Sequence, residues 1–211
     1  MPAARESLLD AAYVALARLP WPAVRMVDVA AAAGVSRQTL YNEFGGKDGL
    51  ARALVRREAA GFLAGIDRAL AGSADPRERL TAAAEWTVAA ARGNALVKAL
   101  LTGCWSDRLP TPAGAAAGGE AGGVAWSAAS YLPAVPAQRW PAGPPLSPGG
   151  LLAAARDRAA AAVSAPRTAE AVPADVCELV FRLALSCVTA PPGEGGTAAL
   201  VRGALRHRRP V

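Results

Sequence analysis

Between residues 34 and 50 the chain reads GVSRQTLYNEFGGKDGL, a dense run of side chains that can recognise rather than pack: Ser36, Arg37, Gln38, Thr39, Tyr41, Asn42 and Lys47. Only Leu40 and Phe44 in the central part are clearly apolar. Hydroxyl, guanidinium, amide and ammonium groups are the ones that meet nucleic-acid base edges and phosphate oxygens. The parts for most other chemistries are missing. The single histidine, His207, lies in the tail, and Cys104, Cys177 and Cys187 show no metal-ligand spacing. With no catalytic histidine arrangement, metal cluster or phosphate-binding glycine loop, the chain is expected not to be an enzyme and to need no cofactor or metal.

Helices must position these residues. Leu8, Ala11, Ala12, Ala15, Leu16 and Leu19 recur at helical spacing until Pro20 and Pro22 intervene. The short apolar segment MVDVAAAA follows and stops at Gly34. Ser36 then stands where a helix N-cap belongs, its hydroxyl able to accept from the backbone of the next turn. That helix closes near Phe44, and a longer one starts around Lys47 and continues through Leu50, Leu54, Phe62, Ile66 and Leu70. Further on, Asp75, Pro76 and Glu78 have the spacing of a capping box before a helix running to about Ala91. Leu96, Val97, Leu100, Leu101 and Cys104 mark another, with Cys104 read as a small buried hydrophobe.

Residues 107–150 contain eight prolines and eight glycines, too many for a long helix, and read as an extended or partly disordered loop. Trp126, Tyr131, Leu132 and Trp140 are unusual for a pure linker and suit docking on the body. Helix resumes after Ser147 and Pro148, again across VPADVCELVFRLALSCVT, and last from Thr197 to Arg206. Alanine-rich composition, with 53% hydrophobic residues and few aromatics, agrees with an all-α fold.

Charge alone does not name a partner. The 211 residues carry a net charge of +6, and residues 1–60 hold eight Arg/Lys against six Asp/Glu. The basic excess is therefore not concentrated on the opening motif. No apolar run reaches the roughly 18–20 residues of a membrane span, and the N-terminus lacks signal-peptide order. An odd cysteine count fits reduced thiols, so a cytoplasmic location without membrane association is expected.

Two short helices joined by a glycine turn make a helix-turn-helix, whose second helix enters the DNA major groove. Val29, Ala30, Ala33, Val35, Leu40 and Phe44 can pack this unit, leaving the polar face of the second helix wet. The stretch VRMVDVAAAAGVSRQTLYNEFGGKDGLARAL resembles the N-terminal DNA-binding domain of the TetR/AcrR family of bacterial transcriptional regulators. The likeness lies in Asp28-Val29-Ala30, Ala33-Gly34-Val35-Ser36, Thr39-Leu40-Tyr41, Phe44, Lys47 and Leu50, and covers about the first 55 residues. More loosely, FRLALSCVTAPPG with its following helix is similar to the paired helices through which many members dimerise.

The resemblance implies that Arg37, Gln38 and Thr39 face the groove. Arg37 would take guanine or a phosphate, Gln38 would pair with adenine, and Thr39 would meet a thymine methyl or a phosphate. Tyr41, Asn42 and Lys47 would hold the DNA backbone. Ser36 caps the same helix. Where the family often has a capping threonine this chain has Arg25, able to bind phosphate but not to cap, and Val27 stands where some members place a polar reader. The plain alternatives are a solvated helix face, partial core packing of Tyr41, and a solvent-facing Lys47.

The family usually binds a small effector in its larger domain. Phe62, Trp86, Leu100, Cys104 and Trp105 are candidate ligand-lining residues, with ordinary core packing as the alternative. The expected architecture is a three-helix helix-turn-helix DNA-binding domain over residues 1–46, followed by a helical effector-binding and dimerisation domain over 47–211. The expected function is a repressor that binds a palindromic site on double-stranded DNA as a homodimer formed through residues 175–206, with a possible small-molecule effector. A rival from another class is a small-molecule-binding protein or enzyme with a vestigial helix-turn-helix.

Overall fold

A computed structural model describes residues 2–110, 147–164 and 173–207. Every regular element among them is helical: α1 (Pro2–Arg18), α2 (Met26–Ala32), α3 (Arg37–Phe44), α4 (Lys47–Ala71), α5 (Pro76–Gly93), α6 (Ala95–Thr102), α7 (Pro148–Val163), α8 (Ala174–Thr189) and α9 (Gly196–His207), with one 3-10 turn at Trp21–Ala23. The fold is all-α, as the composition implies. No helix among the described residues is long and apolar enough to cross a membrane. Trp126, Tyr131, Leu132 and Trp140 lie outside the described residues.

The described residues form two compact units, one of residues 2–55 with 106–110, the other of 56–105 with 147–164 and 173–207. In the first, α1, α2 and α3 pack on one another. Leu8, Leu9, Ala12, Val29, Ala30 and Leu40 are almost wholly buried there, as are Leu50 and Leu54 on the first turns of α4. Burying one leucine of this kind stabilises by about 1.5–3 kcal/mol. Trp21 is buried too, and its backbone N–H donates to the Arg108 carbonyl at 2.8 Å. That bond ties the start of the Pro/Gly-rich segment to the first unit.

In the second unit α5 packs against α6, α7, α8 and α9, and α8 also meets α7 and α9. Phe181 of α8 is fully buried, with Leu80, Leu96, Leu100, Leu151 and Ile66. Helix starts here follow local side-chain chemistry. Asp75 accepts from the Arg77 N–H at 3.0 Å, and Ser147 from that of Gly150 at 3.1 Å. Asn94 accepts from the N–H groups of Leu96 and Val97, while its own amide donates to Glu58 at 2.7 Å.

Two local expectations are corrected. The capping box at Asp75 is not closed by Glu78: its carboxylate takes two hydrogen bonds from Arg202 of α9, at 3.0 and 2.9 Å. A guanidinium fork outcompetes a single backbone N–H for a carboxylate. The Asp75 N–H donates instead to the Ser73 hydroxyl at 3.1 Å. Cys104 is exposed rather than a small buried hydrophobe, because α6 stops at Thr102 and Gly103 turns the chain away before it. Cys177 and Cys187 of α8 are buried free thiols.

Candidate nucleic-acid interface

The turn between α2 and α3 is built from backbone. Gly34 has φ of 68°, a left-handed conformation that a side chain disfavours. Its N–H donates to Ala31, and the Val35 N–H reaches back to the Ala30 carbonyl at 3.0 Å, so both of these turn donors find backbone acceptors. Ser36 begins α3 as expected, its hydroxyl accepting from the Thr39 N–H at 3.0 Å and sharing a hydrogen with the Thr39 hydroxyl at 2.9 Å.

α3 is held down along one side only. Leu40 is fully buried and Phe44 nearly so, as are Val29 and Ala30 of the motif's first helix, on which α3 packs. Ala33 and Val35 are half-buried. The Arg5 guanidinium of α1 lies 4.7 Å from the centre of the Phe44 ring and pairs with Glu43 at 3.7 Å, adding a cation–π contact and an ion pair at the end of α3. In the sequence Arg5 carries no sign of this role beyond its offset from the apolar stripe of α1.

The opposite side of α3 is open. Arg37, Gln38, Tyr41 and Asn42 are exposed and Thr39 is half-buried. Tyr41 keeps 49% of its surface exposed, which argues against a core role. Arg37 and Tyr41 have no side-chain partner among the described residues. The Gln38 amide donates to the Asn42 carbonyl oxygen at 2.8 Å, one turn along.

The flanking candidates are more engaged. Lys47, half-buried at the start of α4, donates to the Pro22 carbonyl at 2.9 Å and stands 5.5 Å from the centre of the Trp21 ring. One of its three N–H groups is thereby committed and two are left. Arg25 occupies the N-cap position of α2 without capping it. Its guanidinium makes two hydrogen bonds to Asp28, at 2.7 and 2.9 Å. That bond first, and the Asp28 charge second, raise the Arg25 pKa above its ordinary value.

The α3–α4 corner depends on a residue that the motif did not mark. A Cβ on Gly49 would lie 1.7 Å from the Phe44 carbonyl oxygen and 2.8 Å from its carbon. The first turn of α4 therefore sits directly on the last carbonyl of α3, with no room for a methyl group.

The candidate ligand-lining residues separate. Phe62 and Leu100 are buried in the second unit. Trp86 is half-buried, donates its indole N–H to the Phe62 carbonyl at 3.1 Å and has the Arg68 guanidinium 5.8 Å from its ring centre. Trp105 is half-buried beyond the end of α6, beside the exposed Cys104. The hydrogen bond brings Phe62 and Trp86 together.

Known proteins share these features. The family model described as bacterial regulatory proteins, tetR family, matches residues 8–54. Over 55 residues the chain is 51% identical to the HTH-type transcriptional regulator AlkX of Mycobacterium tuberculosis, a stretch that is 26% of each protein. The chain thus spans about a quarter of the length of the curated relative it matches. The crystal structure of the TetR family repressor AlkX from Dietzia sp. strain DQ12-45-1b superposes with a TM-score of 0.51 at 20% identity, covering 96% of this chain and 92% of that one. The second likeness is one of fold and extends through both units. The matching frame, the buried Leu40 and Phe44, and the open face of α3 coincide in the same residues, and over residues 8–54 the chain is similar to the TetR family of bacterial regulatory proteins.

Proposed function

We propose that the chain is a sequence-specific DNA-binding transcriptional regulator, a repressor that binds a palindromic operator as a homodimer and leaves it when a small molecule binds. The observation that carries this reading is the outer face of α3. Arg37, Gln38, Tyr41 and Asn42 are exposed on a helix whose other side is fixed by buried Leu40 and Phe44. A rigid helix with an unburied polar face is what major-groove readout needs.

In this reading residues 1–46 are the DNA-binding domain and 47–211 the effector-binding and dimerisation domain. Arg37, Gln38 and Thr39 address base edges. Ser36 fixes the helix start, and Tyr41, Asn42, Lys47 and Arg25 meet backbone phosphates. Lys47 does so with the two N–H groups that Pro22 leaves, and Arg25 after sharing its charge with Asp28. Phe62, Trp86, Leu100, Cys104 and Trp105 are the candidates to line an effector site, with Phe62 and Trp86 joined by a hydrogen bond and Cys104 exposed. Ligand control requires only that the effector bind the dimer state incompatible with DNA more tightly than the compatible one.

The dimer contact falls within residues 175–206 of α8 and α9. Leu200 of α9 leaves 42% of its surface exposed, supporting an apolar face there. Two-fold symmetry would then be mirrored in the operator. Titration of labelled duplex DNA at several salt concentrations tests the reading. The affinity logarithm should fall linearly with that of salt, with one sequence bound far above others. Salt-insensitive or absent DNA binding contradicts the reading, and a monomer at micromolar concentration with operator binding intact contradicts the dimer.

A further inference from the structure

The polar side chains on the outer face of α3 differ in what already holds them. Arg37 and Tyr41 have no side-chain partner among the described residues, and the Thr39 hydroxyl is engaged with Ser36 at 2.9 Å. Gln38 is the exception with consequences for specificity. Its Nε2 donates to Asn42 Oδ1 at 2.8 Å, across one helical turn, with both side chains exposed.

A glutamine amide carries one acceptor oxygen and two N–H hydrogens. Unrestrained, it can offer both hydrogens to guanine, whose O6 and N7 are both acceptors in the major groove. It can equally offer one hydrogen and its oxygen to adenine, which shows N7 as an acceptor and N6 as a donor. The bond to Asn42 withdraws one of the two hydrogens. What the amide can still offer is one donor and one acceptor, the combination that adenine complements and guanine does not. Ordering a long side chain before DNA arrives also removes part of the entropy lost on binding.

We propose that Asn42 is a specificity-determining positioning residue, which by accepting a hydrogen bond from Gln38 sets Gln38 to read adenine and to reject guanine. This rests on the reading that α3 enters the major groove. Asn42 keeps its own amide hydrogens for a phosphate, so the two roles are separable by substitution.

Selection of bound duplexes from a random pool by the full-length protein, compared with Asn42→Ala, Asn42→Asp and Gln38→Ala, tests the proposal. The wild type should enrich adenine at one position of each half-site, by about 5- to 100-fold over guanine for a good bidentate contact. Asn42→Ala should reduce that preference to a few-fold at this position alone, because guanine becomes acceptable. Asn42→Asp keeps the acceptor and should keep the adenine preference, while weakening binding to every sequence through repulsion of the phosphates. Gln38→Ala should erase the preference at the same position. An unchanged adenine preference in Asn42→Ala, with or without a uniform loss across all sequences, overturns the proposal and leaves Asn42 a phosphate contact. If the wild type enriches nothing, the DNA-binding reading itself fails and the proposal with it. Circular dichroism of each variant separates these outcomes from loss of the fold.

Discussion

Replacing Gly49 by alanine should cost stability and DNA binding together, although helix propensity argues the other way. In an unconstrained helix, Gly→Ala stabilises by about 1 kcal/mol. Here the new Cβ would lie 1.7 Å from the Phe44 carbonyl oxygen. An ordinary contact needs about 3.2–3.4 Å, so α3 and α4 must separate by about 1.5 Å. The obstacle is backbone, which cannot swing aside, and overpacking of this kind costs about 1–3 kcal/mol. Taking the upper part of that range for a backbone clash and subtracting the propensity gain leaves about 1–2 kcal/mol of net destabilisation. For a chain of this size that lowers Tm by several degrees. Because the displaced element is α3, affinity for the operator should fall at least as far, by roughly tenfold or more, even below the shifted Tm. Chemical denaturation and fluorescence anisotropy on the same preparations measure both. A Gly49→Ala protein with wild-type or greater stability and unchanged affinity would refute the argument that the corner has no room.

Other perturbations separate the roles of individual side chains. Arg37→Ala should relax selectivity at one base pair at a cost of about 1–3 kcal/mol if it makes a bidentate contact with guanine; uniform weakening with a shallower salt slope assigns it to phosphate. Alkylation of the native protein at neutral pH should label Cys104 first, because it is exposed, whereas Cys177 is buried and desolvation raises its pKa to about 11; equal labelling of the two under native conditions contradicts this packing. The Glu78 carboxyl is held below its ordinary value by the hydrogen bond from Arg202. Its contribution is therefore present above the unfolded carboxylate pKa and is lost as pH falls through the lower folded value. Glu78→Gln should lower Tm slightly at pH 7, and the difference from wild type should shrink as pH falls below the ordinary carboxylate range, which thermal scans at a series of pH values can check.

Much of the first unit was legible in sequence because its determinants are local. A glycine able to take positive φ, a serine able to accept from the third residue on, and apolar residues one turn apart specify α3 without reference to the rest of the chain. The helix starts at Ser147 and Asp75 were readable for the same reason. What escaped depends on partners distant in sequence. Nothing around Lys47 announces the Pro22 carbonyl and the Trp21 ring, 25 and 26 residues away, that hold its ammonium. Glu78 has the spacing of a capping residue, but Arg202 on α9 claims it. Cys104 continued the apolar spacing of α6 on paper, while the turn at Gly103 removes it from the helix and leaves it exposed. Gly49 reads as one more glycine near a helix start, and only the approach of Phe44 gives it a purpose. The Gln38–Asn42 bond had a readable spacing, yet which side chains bond to each other and which stay open is a matter of rotamers.

The central claim is that α3 reads base sequence as part of a symmetric regulator. Selection of bound duplexes from random DNA by the full-length protein near physiological salt addresses it most directly. The expected result is enrichment of a two-fold symmetric sequence, its half-sites separated by a distance that places two recognition helices in successive major grooves, and loss of that enrichment in Arg37→Ala/Gln38→Ala. Recovery of no preferred sequence, or of one unaffected by that double substitution, would contradict it.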